Sequence, residues 1–106
     1  MIALFVTFRY GADFNAEKLR QIAERSAGKF DGMPGLRSKL FSVSSELREA
    51  RNVYIWDDAN AAKTFFTQST RDGIAALYGV PPLIAYAEVC RLVENERVDG
   101  GAQLRP

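Results

Sequence analysis

The chain has 106 residues, which suits one domain around one core. Its apolar and charged fractions, 47% and 25%, are ordinary for a globular protein, and its formal net charge of +1 is too small to draw polyanions or anionic membranes over a distance. It holds no histidine and one cysteine, Cys90, which excludes a histidine triad, a zinc site of the usual ligands, a histidine-ligated haem and a disulfide within the chain. Carboxylate-only divalent sites stay open, although no Asp or Glu spacing resembles a calcium loop. The lone thiol fits a reducing cytoplasm, and no apolar run is long enough to span a bilayer.

Ile2 to Tyr10 is apolar on both alternating faces as far as Arg9 and predicts a strand covered on both sides. With no basic leader before it, this segment reads as a strand and not as a signal peptide. After "GADFN", Asn15 is set to cap a helix with Glu17 in its first turn and Leu19, Ile22 and Ala23 on one side, and Gly28 is the expected left-handed stop. "FDGMPG" is turn chemistry. Leu36 to Ser44 predicts a second strand, with Arg37, Lys39, Phe41 and Val43 on one face and Leu36, Ser38, Leu40 and Ser42 on the other. "SSELREAR" reads as a polar hairpin connection, and Asn52 to Asp57 as the third strand. Asp57 or Asp58 then caps a helix carrying Ala62, Phe65 and Phe66. Ser69, with Asp72 three residues on, predicts a restart of a short helix containing Ile74, Leu77 and Tyr78, which Gly79 and the Pro81–Pro82 pair end. Leu83 to Val93 is the fourth strand, again apolar on both faces. Residues 1–94 thus form one domain, and 95–106 a polar tail that frays or meets a partner.

The order βαββαβ is the ferredoxin-like α+β arrangement, one antiparallel sheet with helices on one face. Strands one and four are apolar on both faces, more than one helical layer covers. A homodimer with sheets face to face is therefore expected; a monomer with one sticky face is the alternative.

"MPGLRSKLF", "NVYIWDDANAAKTFF" and the closing "VCRLVEN" give a Pro-Gly turn opening strand two and an aromatic third strand running through an acidic pair into an Ala-rich helix. The chain thereby resembles the YdhR-type monooxygenases of the dimeric α/β-barrel superfamily, relatives of the antibiotic-biosynthesis monooxygenases. That resemblance implies a pocket between sheet and helices in each subunit, and oxygenation of an aromatic or polycyclic substrate with no metal, haem or flavin cofactor. Other branches of the superfamily, the haem-degrading enzymes and muconolactone isomerases, rely on a histidine that this chain lacks.

Such chemistry needs aromatic walls, a few polar donors and a proton acceptor. Asn52, Tyr54 and Trp56 share one face of strand three, and Phe65 and Phe66 follow on the next helix. Tyr54 and Trp56 are candidate catalytic donors and Asn52, Phe65 and Phe66 candidate substrate contacts; the same residues also serve as core or interface aromatics. Lys39 and Arg37 share a face with Phe41, where either holds an oxyanion or snorkels at a sheet edge. Glu88, on one face with Tyr86 and Cys90, is a general-base candidate if burial raises its pKa, or else half of an ion pair. Arg71 and Tyr78 are candidates to close the pocket mouth. Asp57 and Asp58 read as cap residues, and Cys90 as a small hydrophobe. An RNA-recognition domain shares the topology, but the neutral charge and the lack of glycine between the strand-three aromatics disfavour it. A non-catalytic dimer binding a hydrophobic small molecule is the remaining alternative, because one aromatic pocket serves both.

Overall fold

The structure is a computed structural model and describes residues 1–95. The tail expected over 95–106 falls, except for Asn95, outside the described residues. Four strands, β1 (Ile2–Arg9), β2 (Leu36–Ser44), β3 (Glu49–Trp56) and β4 (Leu83–Glu88), form one antiparallel sheet in the order β2-β3-β1-β4. Three helices, α1 (Ala16–Ser26), α2 (Ala59–Phe65) and α3 (Gln68–Tyr78), pack on one face. This is the expected ferredoxin-like α+β order.

Alternation fixes the two faces. Leu4, Val6 and Phe8 of β1 oppose Tyr54, Asn52 and Ala50 of β3, and all six are buried under the helices with Trp56, Leu19, Ile22, Ala62, Phe66 and Tyr78. Burial of the nine large aromatic and aliphatic side chains among these, at ~1.5–3 kcal/mol each, is what holds the helical layer down.

Helix boundaries follow their caps. The Asn15 side chain accepts from the Lys18 N–H and the Asp58 side chain from the Ala61 N–H. The last helix is capped by Thr67, which accepts from the Thr70 N–H, and not by Ser69; the threonine hydroxyl engages a free N–H two residues earlier than the Ser69–Asp72 pair could. Gly79 ends α3 at φ 81°, as expected. Gly28 does not end α1: the helix tightens after Ser26 into a single 3-10 turn over Ala27–Phe30.

Three strand details depart from the sequence pattern, each through pairing. Residues 49–51 join β3 and not the hairpin loop, because they pair with Arg9, Phe8 and Thr7 on one side and Ser44, Val43 and Ser42 on the other. Glu49 is buried between two arginines, 3.6 Å from Arg9 and 3.3 Å from Arg51. In β2 the register shifts between Leu36, opposite Trp56, and Ser38, opposite Ile55. Arg37 is the extra residue, exposed and 3.9 Å from Asp57, and Leu36 turns toward the core and not away from it. Finally, β4 stops at Glu88 and not Val93. Glu88 makes the last ladder pair, with Ile2, and the Val89 N–H bonds the Met1 carbonyl just outside the strand.

The face away from the helices carries Phe5, Leu40, Val53, Ile55, Leu83, Ala85 and Ala87, none of them buried. An open trough of about 390 Å³ runs along it between Phe5, Arg51 and Leu83. β4 is thinly covered: Leu83 is 49% exposed on one side, and on the other Tyr86 is 51% exposed while Ile84 packs against the core.

Candidate active site

Between the 3-10 turn and α3, the helical layer leaves a half-open cavity of about 310 Å³ over β2 and β3. Its floor is Lys39 and Phe41 of β2 with Asn52 and Tyr54 of β3, brought together because Lys39 pairs with Tyr54 and Phe41 with Asn52 across the ladder. Phe30 and Phe65 wall one side; Thr70, Gly73, Ile74, Leu77 and Tyr78 of α3 wall the other; Ser26 and Lys29 stand at α1's end.

Lys39 is the centre of the cavity. Its Nζ donates to the Tyr54 hydroxyl at 2.9 Å and lies 3.5 Å from the centroid of Phe30, 4.2 Å from Phe41 and 4.2 Å from Tyr54. Phe30 closes over it, edge-on to Phe41 and Tyr54 at 6.1 and 6.0 Å. Loss of water, and next the nearby Lys29 ammonium, push the Lys39 pKa down from 10.5 to about 7. The amine is therefore shared between charged and neutral forms at neutral pH. The snorkelling expected of a sheet-edge lysine is replaced by an amine turned inward under an aromatic lid.

Both tyrosines keep their protons. Burial raises Tyr54 above the ordinary phenol range, helped by Tyr78. Burial also raises Tyr78, against the stabilising hydrogen bond from Asn52, whose amide donates to the Tyr78 hydroxyl at 3.1 Å. The Tyr78 ring stacks on Phe8 at 3.8 Å, and its carbonyl accepts from Tyr10 at 2.7 Å, so the end of α3 is pinned to β1. Tyr10 is itself pushed up to about 12, first by burial and then by Tyr78 and Asp13. Among the described residues neither Tyr54 nor Tyr78 has an acceptor for its own proton within the hydrogen bonds formed, so each offers an O–H to a ligand.

A second hollow of about 320 Å³ lies beyond Phe41, Asn52 and Tyr78, bounded by Leu19, Arg20, Ala23 and Glu24 of α1. The two share those three residues as a partition.

Of the residues singled out from sequence, Lys39, Phe41, Asn52, Tyr54, Phe65 and Tyr78 meet at the cavity. Trp56 and Phe66 do not line it; they are buried beside Tyr54, at 5.9 and 5.1 Å between ring centroids. The Trp56 indole N–H has no partner among the described residues, an arrangement that costs about 1–3 kcal/mol. Glu88 and Tyr86 are exposed on the edge strand β4, and Arg71 is half-buried on α3 outside the lining. Lys29 and Phe30 are the contributors that sequence reasoning missed. Their signal was an aromatic residue beside a glycine-rich turn, read only as turn chemistry.

Among the described residues no group of three or more His, Cys, Asp or Glu is placed to hold a metal ion, and no helix is long and apolar enough to cross a membrane.

No family model matches the chain, and no curated protein does. Solved structures share its fold. A Deinococcus radiodurans protein provisionally classed as an antibiotic biosynthesis monooxygenase superposes with a TM-score of 0.66 at 20% identity, over 91% of this chain and 99% of that one. The ActVA-Orf6 monooxygenase of Streptomyces coelicolor, solved with nanaomycin D, gives 0.66 at 18% identity over 90% and 92%. SnoaB of Streptomyces nogalater, a cofactor-independent oxygenase, gives 0.60 at 14% identity over 89% and 98%. At these identities the likeness establishes the fold: the ferredoxin-like α+β fold of antibiotic-biosynthesis-monooxygenase proteins.

Proposed function

We propose that this chain is a monooxygenase that oxidises a planar aromatic substrate, a phenol, enol or anthrone, with dioxygen and without a resident cofactor, in the cavity over β2 and β3. The observation that carries this reading is the Lys39–Tyr54 pair, a titrating amine and a protonated phenol 2.9 Å apart inside an aromatic enclosure. The names of two fold neighbours, a monooxygenase seen with nanaomycin D and a cofactor-independent oxygenase, support it. The narrower YdhR-type likeness belongs to the same proposal.

The substrate ring lies between Phe30, Phe41 and Phe65. Neutral Lys39 takes the acidic substrate proton and becomes the ammonium that faces the resulting anion. Tyr54 donates to the same oxygen, while Tyr78, held by Asn52, is available to a second one. The anion passes one electron to dioxygen, and the two radicals join as a hydroperoxide at carbon. Loss of water turns the former CH₂ into C=O: one oxygen atom stays in the product, the other leaves as water, and dioxygen is the only oxidant. In this proposal the base role expected of Glu88 passes to Lys39, and Trp56 supports Tyr54 from behind.

A homodimer through the outer sheet face is part of the proposal. Phe5, Leu40, Val53, Ile55 and Leu83 form an apolar surface of the kind that soluble chains cover, and β4 leaves both Leu83 and Tyr86 about half exposed. Static light scattering at micromolar protein giving a single-chain mass would overturn it.

The oxidation is tested with an oxygen electrode and an anthrone or a dihydroxynaphthalene. Oxygen uptake above the protein-free rate is expected, rising with pH through about 7 as Lys39 loses its proton. Lys39→Met and Tyr54→Phe, checked for fold by circular dichroism, should lose ~10²-fold or more of that rate. Uptake untouched by both substitutions refutes the mechanism. Saturable binding with no uptake establishes the non-catalytic binding protein instead.

A further inference from the structure

The charge of the cavity lining is one-sided. Thirteen residues line it, two of them lysines, and none is an aspartate or glutamate. Asp31 and Asp72 adjoin the lining residues Phe30 and Gly73 in sequence, but both are exposed and neither lines the cavity, and Asp72 accepts from Gln68; Glu24 lines the second hollow on the far side of the partition. Ion pairs among the described residues engage Arg9, Arg37 and Arg51, with Glu49 and Asp57; neither Lys29 nor Lys39 takes part. Both lysines attend the same ring: Lys39 Nζ is 3.5 Å and Lys29 Nζ 5.4 Å from the Phe30 centroid. The two ammonium groups therefore lie no more than about 9 Å apart. They repel each other, and Lys29 lowers the Lys39 pKa. Lining side chains bring aromatic faces and neutral donors to a ligand, but no negative charge. What the site lacks, its occupant must bring.

We infer that the ligand is an aromatic hydroxy acid whose hydroxyl meets Lys39 and Tyr54 and whose carboxylate, across the ring system, meets Lys29. A bicyclic skeleton is short enough to lie within that upper limit on the separation of the two amines, and a cavity of about 310 Å³ accepts it. Lys39 sits at the floor, hydrogen-bonded to Tyr54, and so faces the reacting end. Lys29 is exposed at the rim, where a carboxylate keeps part of its hydration and needs less desolvation. The inference rests on the same cavity as the proposed oxidation and names the substrate class that the cavity selects.

Titration calorimetry at low salt, near pH 7, with 6-hydroxy-2-naphthoate, 2-naphthol and 2-naphthoate tests it. The hydroxy acid should bind roughly tenfold tighter than the naphthol, and 0.5 M NaCl should narrow that gap. Lys29→Gln changes an exposed residue, and circular dichroism checks that the fold is kept. The substitution should weaken the hydroxy acid by roughly three- to fivefold relative to 2-naphthol, which shares any change at Lys39 and so serves as the internal reference. Naphthol binding as tightly as the hydroxy acid overturns the inference, as does a Lys29→Gln variant that keeps the full preference, or a wild-type protein that binds neither at millimolar concentration. Oxygen uptake is followed in parallel. Preferred binding of the hydroxy acid without uptake refutes the oxidation and leaves the inference standing; equal oxidation of both does the reverse.

Discussion

Replacing Lys39 by Met keeps an unbranched chain only one atom shorter and removes its charge, so it reports what the buried amine costs. The folded pKa is about 7 and the ordinary value 10.5. Between those values the unfolded chain holds the proton and the folded chain releases it. Wild-type stability must therefore rise with pH across that window, and the cost is complete below it. Undamped, each pH unit within the window is worth ~1.36 kcal/mol. Lys39 keeps some solvent contact, and three aromatic faces partly stabilise its charge, so about half of that is realistic. Wild type should gain about 2 kcal/mol relative to Lys39→Met between pH 6 and pH 9.5. Urea denaturation of both proteins at the two pH values, with a common slope, measures it. At pH 6 the variant should equal or exceed wild type, because a desolvated cation has gone and an apolar chain now lies among Phe30, Phe41 and Tyr54. Parallel stability–pH curves for the two proteins would show that Lys39 stays fully charged in the fold, and the proton-acceptor role would fall with that result.

Gly35→Ala should lose about 3 kcal/mol, because Gly35 sits at φ +80° and an added Cβ would stand 2.7 Å from the Ala61 Cβ. Gly32→Ala, at φ +67° with open space around it, should lose only about 1 kcal/mol; equal denaturation midpoints for the two variants contradict the close approach of the β2 turn to α2. Tyr78→Phe keeps the stack on Phe8 and strands the Asn52 amide, 3% exposed, at a cost of about 1–3 kcal/mol. Adding Asn52→Leu to that variant should recover part of the loss in a double-mutant cycle, and strict additivity would refute the pairing.

Fold and site were legible to different depths. Topology followed from periodicity and turn residues, since each strand and helix declared itself within about ten residues. Strand ends were less legible because they depend on the partner strand. β4 ends where its ladder with β1 ends, at the Glu88–Ile2 pair, and residues 49–51 are drawn into the sheet by neighbours on both sides. The Leu36–Ser38 irregularity, which sends Leu36 inward and leaves Arg37 outside, has no local signature beyond the Pro-Gly turn before it. In the site, the shared face of Asn52, Tyr54 and Trp56 came directly from alternation. Which of them meets open space did not, because that depends on the placement of the helical layer. The inward course of Lys39 was equally hidden, for it depends on Phe30, which comes from a turn nine residues earlier.

The aromatic run from Arg51 to Phe66 is core at one end and cavity wall at the other, and the cause is the break between α2 and α3. Helix α2 starts at Ala59, capped by Asp58 only two residues after Trp56, and must fold back over it; Ala61 and Ala62 are small enough to let the helix sit close to the indole. Trp56 and Phe66 are sealed as a result. At Phe66 the backbone leaves helical geometry, with ψ 62°, and Thr67 caps a new helix in a different direction. That turn carries α3 to the other side of Lys39, where Gly73 contributes no side chain to the wall and Leu77 remains exposed. A continuous helix through residues 59–78 would have covered only one flank of β3. By breaking, it leaves a gap between the 3-10 turn and α3 whose floor is the one lysine that the sheet turns inward, and the position of that break is what makes a binding site out of a hydrophobic core.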